Sequence, residues 1–241
     1  MSLQNKTIII TGANSGIGEQ TGYLMAKDGA NLILTYYENE QEGQAVKAKC
    51  LELGAKKVEL HHLDLTNHQS IENFSHKINQ TDILINNAAN IVISNFADTS
   101  IEDIEKQIQT NLLGTIKLTK LLLPNIKETI INIGSILGLF AQRKFTTYCV
   151  TKFGLRAFTK ALAKELSDRK VYLVAPPGTK TKMGPQDGVD PKKVAELIHN
   201  TASGKYNLKT GSEVYYIDYK YGAVFAKIVH LLRKLKNIKK I

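Results

Sequence analysis

In the stretch "TTYCVTKFG", residues 146–154, a phenol and an ammonium stand four positions apart. Tyr148 and Lys152 lie in a run of helix formers that continues "LRAFTKALAKEL". Helical residues four apart share a face, so the two side chains can meet. A free phenol ionises near pH 10, and a neighbouring cation favours the ionised form. Such a pair can give or take a proton at a carbon–oxygen centre. The same spacing also occurs on ordinary solvated helix faces, so the rest of the chain has to decide between the two.

Elements must hold the pair in place. Short apolar runs alternate with helical patterns along the chain: "TIIITG", "NLILTYY", "KVELHHLDL", "TDILINNAA", "TIINIGS", "VYLVAPPG" and "EVYYIDY" read as strands. Between them, "EQTGYLMAKDG", "NEQEGQAVKAKCLELG", "NHQSIENFSHKI", a segment over about 100–123 ending at Pro124, the segment carrying Tyr148, and "DPKKVAELI" read as helices. Alternation of this kind predicts an α/β fold with a parallel sheet covered on both faces. There is no internal repeat or linker, which predicts one domain over residues 1–219.

Where the first strand meets the first helix the chain reads "TGANSGIG", with Gly12, Gly16 and Gly18. At that turn, backbone N–H groups and a helix N-terminus can hold a pyrophosphate. The spacing Gly-x-x-x-Gly-x-Gly resembles the short-chain dehydrogenase/reductase family, in its classical branch. The resemblance extends to "DL" at Asp64–Leu65, "NNAA" at Asn86–Ala89, "NLLG" with Asn111, and "NIGS" with Ser135. Ser135 stands 13 residues before Tyr148, and Asn111 stands 24 before Ser135. Two departures occur. Pro177 replaces a glycine in "VAPPG", and only 12 residues separate Thr181 from Val194, which predicts a short substrate lid.

The resemblance implies a single Rossmann-type doubly wound sheet and hydride transfer between a nicotinamide and an alcohol or carbonyl carbon. It implies a catalytic set of Asn111, Ser135, Tyr148 and Lys152. Tyr148 is expected to be the general acid/base and Lys152 to lower its pKa and hold the ribose. Ser135 would orient the substrate oxygen, and Asn111 would hold a water on the proton path. The implied dinucleotide contacts are Gly12, Asn14, Ser15, Gly16, Ile17, Gly18, Tyr36, Asp64, Leu65, Asn87, Ala88, Tyr148, Lys152, Pro177, Gly178, Thr179 and Thr181, with one of the two threonines bonding the carboxamide. An acid at the end of the second strand would select NAD by facing the ribose hydroxyls and repelling a 2′-phosphate. "LTYYENE" puts Tyr36 at that position and Tyr37 at the position of an NADP-selecting arginine. Absence of the acid leans towards NADP(H) over NAD(H), although no basic residue supports the phosphate.

Composition narrows the class. The chain has 241 residues, 43% apolar and 22% charged. No apolar run approaches the roughly 18 residues of a membrane span, and the N-terminus does not read as a signal peptide. Two cysteines, Cys50 and Cys149, make no disulfide framework, which points to a cytoplasmic protein. Cys149, His61 and His62 read as packing residues, and the six histidines show no metal-ligand spacing, so no metal is expected. Seven of the ten net positive charges fall in residues 220–241, which leaves the body near balance and excludes a nucleic-acid groove. That tail sets Phe225, Ile228, Leu232 and Leu235 at helical spacing. It predicts a basic amphipathic helix, lying on an anionic membrane or packing on its own domain or a sister subunit. The expected partners are a small-molecule alcohol or carbonyl substrate and a second copy in a homodimer or homotetramer. Two alternatives stay open: a non-catalytic dinucleotide sensor on the same fold, and a membrane-associated oxidoreductase of lipid-like substrates.

Overall fold

The structure is a computed structural model that describes residues 2–216. The basic amphipathic tail at 220–241 and the end of the last expected strand lie outside the described residues.

Seven strands form one parallel sheet in the order β3-β2-β1-β4-β5-β6-β7. They are β1 (Thr7–Ile10), β2 (Asn31–Tyr36), β3 (Lys57–His62), β4 (Thr81–Asn86), β5 (Ile126–Ile133), β6 (Lys170–Ala175) and β7 (Glu213–Tyr215). The helices are α1 (Gly16–Lys27), α2 (Glu40–Glu52), α3 (His68–Ser75), α4 (Ile101–Ile108), α5 (Thr115–Leu122), α6 (Thr146–Glu165) and α7 (Pro191–Ala202). The doubly wound α/β fold expected from the alternation is therefore present. Chain order reverses between β1 and β4, and in such sheets ligands bind beyond the strand carboxyl ends at that reversal.

Both faces are buried because strand side chains alternate. Ile8, Ile10, Leu32, Leu34, Ile83 and Ile85 enter one core with Met25 of α1, Val46 of α2, and Val194 and Ile198 of α7. Ile9, Ile33, Leu84 and Ile130 enter the other with Phe74 of α3, Leu118 and Leu122 of α5, and Leu162 of α6. A strand such as "TIII" must be apolar throughout to serve two cores, which is why these runs lack a polar alternation.

The single long helix expected over 100–123 is interrupted. Residues Gln109–Gly114 form a π turn between α4 and α5. Asn111 lies inside it, 1% exposed. Local π geometry frees backbone groups from the regular ladder and recurs at functional sites.

Candidate active site

A cleft of about 830 Å³ opens beyond the carboxyl ends of the strands, within the range of about 300–1,000 Å³ typical of small-ligand sites. Its floor is the glycine turn. Gly12 and Gly16 have φ of +61° and +59°, a region that costs any residue with a Cβ. A Cβ on Gly12 would also meet the Ala88 backbone at 2.9 Å. Gly18 faces away from the cleft, but a Cβ there would lie 2.3 Å from the Gly12 carbonyl oxygen, so its smallness lets α1 close on the turn. Side chains cap α2, α3, α4 and α7 through Asn39, Asn67, Ser100 and Asp190, whereas Ser15, the N-cap of α1, accepts no capping bond. The first N–H groups of α1 are thus left to an anion.

Asn14, Ser15, Gly16, Ile17, Asp64, Leu65, Asn87, Ala88, Pro177, Gly178, Thr179 and Thr181 line the cleft as the sequence predicts. Asn87 braces the turn, its Nδ2 donating to the carbonyl oxygens of Thr11 and Gly12 at 2.9 and 3.0 Å. Asp64 is fixed by Thr66, whose N–H and hydroxyl both donate to its Oδ1. The segment after β6 closes on itself, Val189 N–H donating to Gly178 O at 2.9 Å and Lys180 N–H to Val189 O at 2.8 Å. Thr181 sits so close that a Cβ on Gly16 would meet its Cγ2 at 2.9 Å. Lys182 pairs with Glu42 of α2, clasping this short lid across the cleft.

Ser135, Tyr148 and Lys152 meet on one wall. Ser135 hydrogen-bonds the Tyr148 phenol and pulls its pKa down, yet the loss of surrounding water dominates and holds the phenol up at about 12. Lys152 is 3% exposed; its Nζ lies 5.4 Å from the Tyr148 ring centre and donates to Ile133 O at 2.9 Å. Burial pushes the ammonium down to about 8. Desolvation acts on both groups and favours the neutral phenol and the neutral amine.

Asn111 is not part of the cleft lining. It stands behind the lining and spends its amide on Asn90, accepting from the Asn90 N–H at 2.6 Å and donating to the Asn90 carbonyl at 2.7 Å. It also donates to Thr151 Oγ1 at 3.3 Å. Asn111 thus clamps the cleft-lining Asn90 to α6 one turn from Tyr148.

Tyr36 does not line the cleft. It ends β2 in register with His62, packs edge-on against that ring at 5.5 Å, and bonds Glu40. Side chains alternate along a strand. Thr35 faces the glycine turn, accepting from Gly12 N–H at 3.3 Å, and the residues that reach the cleft are Tyr37 and Glu38. Lys106 of α4 joins them, its Nζ 5.7 Å from the Tyr37 ring centre.

Sequence reasoning missed two buried supports. Thr11 is 1% exposed, and its hydroxyl accepts from the N–H groups of Asn87 and Ala88 at 2.9 and 3.0 Å, joining the first and fourth strand ends. Asn132 accepts from Asn86 Nδ2 at 2.8 Å and donates to Thr159 Oγ1 at 2.9 Å, linking β4, β5 and α6 beneath the site. A lone asparagine in the apolar run "TIINI" was the available signal. His61 and His62 pack on Phe74, Tyr36 and Tyr37. Among the described residues no three His, Cys, Asp or Glu side chains form a metal-holding group. No described helix is long and apolar enough to cross a membrane.

The model of the short chain dehydrogenase family matches residues 6–191. The chain belongs to that family. It is similar to human dehydrogenase/reductase SDR family member 7, at 36% identity over 68% of this chain and 52% of that protein. It is also similar to human retinol dehydrogenase 13, at 34% identity over 78% of this chain and 63% of that protein. The chain thus spans between half and two-thirds of these curated relatives. The same fold is seen in a short-chain dehydrogenase from Burkholderia cenocepacia solved with NADP, with a TM-score of 0.84 and 24% identity over 89% of this chain and 97% of that one. For this member of the family, the uncapped α1, the left-handed glycines and the roomy cleft fit a nicotinamide dinucleotide.

Proposed function

We propose that the chain is an NAD(P)(H)-dependent oxidoreductase interconverting an alcohol and a ketone or aldehyde. The observation that carries this is the convergence of Ser135, Tyr148 and Lys152 on one wall of the dinucleotide-sized cleft. A bound reduced nicotinamide supplies hydride to the carbonyl carbon. Ser135 orients the substrate oxygen by hydrogen bonding, and Tyr148 gives that oxygen its proton. The ammonium of Lys152 opposes the charge left on the phenolate. A phenol held near 12 is protonated at neutral pH, so Tyr148 is available to donate a proton in the reductive direction.

NADP(H) is favoured over NAD(H). Lys106 supplies a cation beside Tyr37 in the cleft lining, and a cation there supports a 2′-phosphate. Reduced-nicotinamide absorbance followed with a panel of aldehydes and ketones tests the reaction. Turnover is expected with NADPH, while no consumption with any carbonyl and no reverse reaction with any alcohol overturns it. Lys106→Ala is expected to weaken NADPH binding more than NADH binding, and an unchanged ratio removes Lys106 from that role.

A further inference from the structure

We infer that the substrate end of the cleft accepts an uncharged, apolar alcohol or carbonyl compound, a proposal that rests on the reading of Tyr148 as proton donor. Two segments bring apolar side chains to Tyr148. Ile136 and Leu137 follow Ser135 directly, and Phe145 sets its ring edge-on to Tyr148 at 6.5 Å between centres. Ile91 and Ile93 arrive from the chain after β4, which is tied to this turn by Ser94 N–H donating to Lys144 O at 3.1 Å. Met183 completes the rim from the lid. Ile93 and Met183 are 55% and 48% exposed in the cleft lining. An apolar occupant would cover both, and covering such surface is favourable in proportion to its area.

The charges of the cleft are committed elsewhere. Glu38, Asp64 and Lys106 belong to the adenosine end. Lys182, next to Met183, turns to Glu42. Lys152 is buried against the Ile133 carbonyl. Arg143, on the turn before Phe145, donates to Asn95 and stays out of the lining. Among the described residues, a carboxylate or phosphate on the substrate would therefore find no counter-ion and would lose its water on entering. The polar groups that remain near the reacting position, Ser135, Tyr148 and Gln142, suffice for a single oxygen.

Three ketones test this with the full-length protein and NADPH: butan-2-one, decan-2-one, and 9-oxodecanoate, which replaces the far methyl of decan-2-one with a carboxylate. The expected kcat/KM for decan-2-one exceeds that for either of the others by at least about tenfold, since each fully buried methylene contributes about fourfold. Equal values for butan-2-one and decan-2-one, or a preference for 9-oxodecanoate, overturn the proposal. Calorimetric titration of decan-2-one into protein saturated with NADP⁺ separates the two readings. Saturable binding with no turnover of any carbonyl or alcohol supports the apolar site while sinking the reaction assigned above; no saturable binding overturns the apolar site itself. Ile93→Asp, a change at an exposed position, is expected to shrink the decan-2-one to butan-2-one ratio at least about fivefold, and an unaltered ratio counts against the proposal.

Discussion

Tyr148 and Lys152 were recognisable by spacing, but their proton affinities were not, because those depend on how much water the fold removes. Tyr148→Phe deletes only the hydroxyl and keeps the ring against Phe145. It is expected to lower kcat by about 10²–10⁴, the usual contribution of a positioned acid or base. NADPH binding, followed by fluorescence, should stay near wild type. A variant retaining most of its turnover would dismiss Tyr148 as the donor. Lys152 gives a pH prediction. Folding lowers its pKa from 10.5 to about 8, so the ammonium is lost as pH rises through about 8. The kcat/KM for the dinucleotide, which reports the free enzyme, should fall with an apparent pKa near 8. The same group makes stability rise with pH between about 8 and 10.5, because there the unfolded chain binds the proton that the folded chain does not. A flat kinetic profile from pH 7 to 10 would contradict the assignment.

Among the elements, α6 carries the catalytic pair and is moored at its outer side. Arg156 donates to both oxygens of Glu213 on β7 at 2.7 and 3.2 Å, Lys160 pairs with the same carboxylate at 2.9 Å, and the Tyr215 hydroxyl donates to it. Burial alone pulls the Glu213 carboxyl up, but these hydrogen bonds, Arg156 foremost, leave it below its ordinary 4.5. The cluster's stabilisation is complete above that ordinary value and is lost as pH falls through the depressed one. Glu213→Gln should cost about 2 kcal/mol at pH 7, less than a fully buried pair because Arg156 keeps some contact with water. The difference from wild type should vanish in strong acid; urea unfolding at both pH values checks it, and a penalty independent of pH would refute it. The seven strands, and the helices apart from the broken α4–α5 segment, were readable from apolar runs and their punctuation, because local pattern decides them. The π turn was not: "TNLLG" is helix-compatible, and its distortion follows from Asn111 reaching Asn90, a contact 21 residues away. The Tyr36 assignment failed by one residue for a related reason. Counting positions does not say which way the last residue of a strand points, and here pairing with β3 turned Tyr36 onto His62.

For the whole molecule, ligand and stability should be linked. A dinucleotide that binds only the folded state stabilises it by about 2.7 kcal/mol at a hundredfold excess over Kd. For a chain of this size that is a rise in Tm of roughly 5–10 °C. Gly16→Val should abolish the rise, since valine at φ +59° is strained and its Cβ would press on Thr181. A normal NADPH-induced shift in that variant would disprove the role of the glycine turn. The sheet order has another consequence, in time rather than space. β1 pairs with β2 on one side and β4 on the other. During synthesis β2 is finished at Tyr36, but β4 begins only at Thr81. At about 5–20 residues per second, one edge of β1 waits on the order of 2–9 s for its partner. A bare "TIII" edge is a template for pairing with another nascent chain. That interval, before the molecule can form its cleft at all, is one in which a growing chain is open to aggregation.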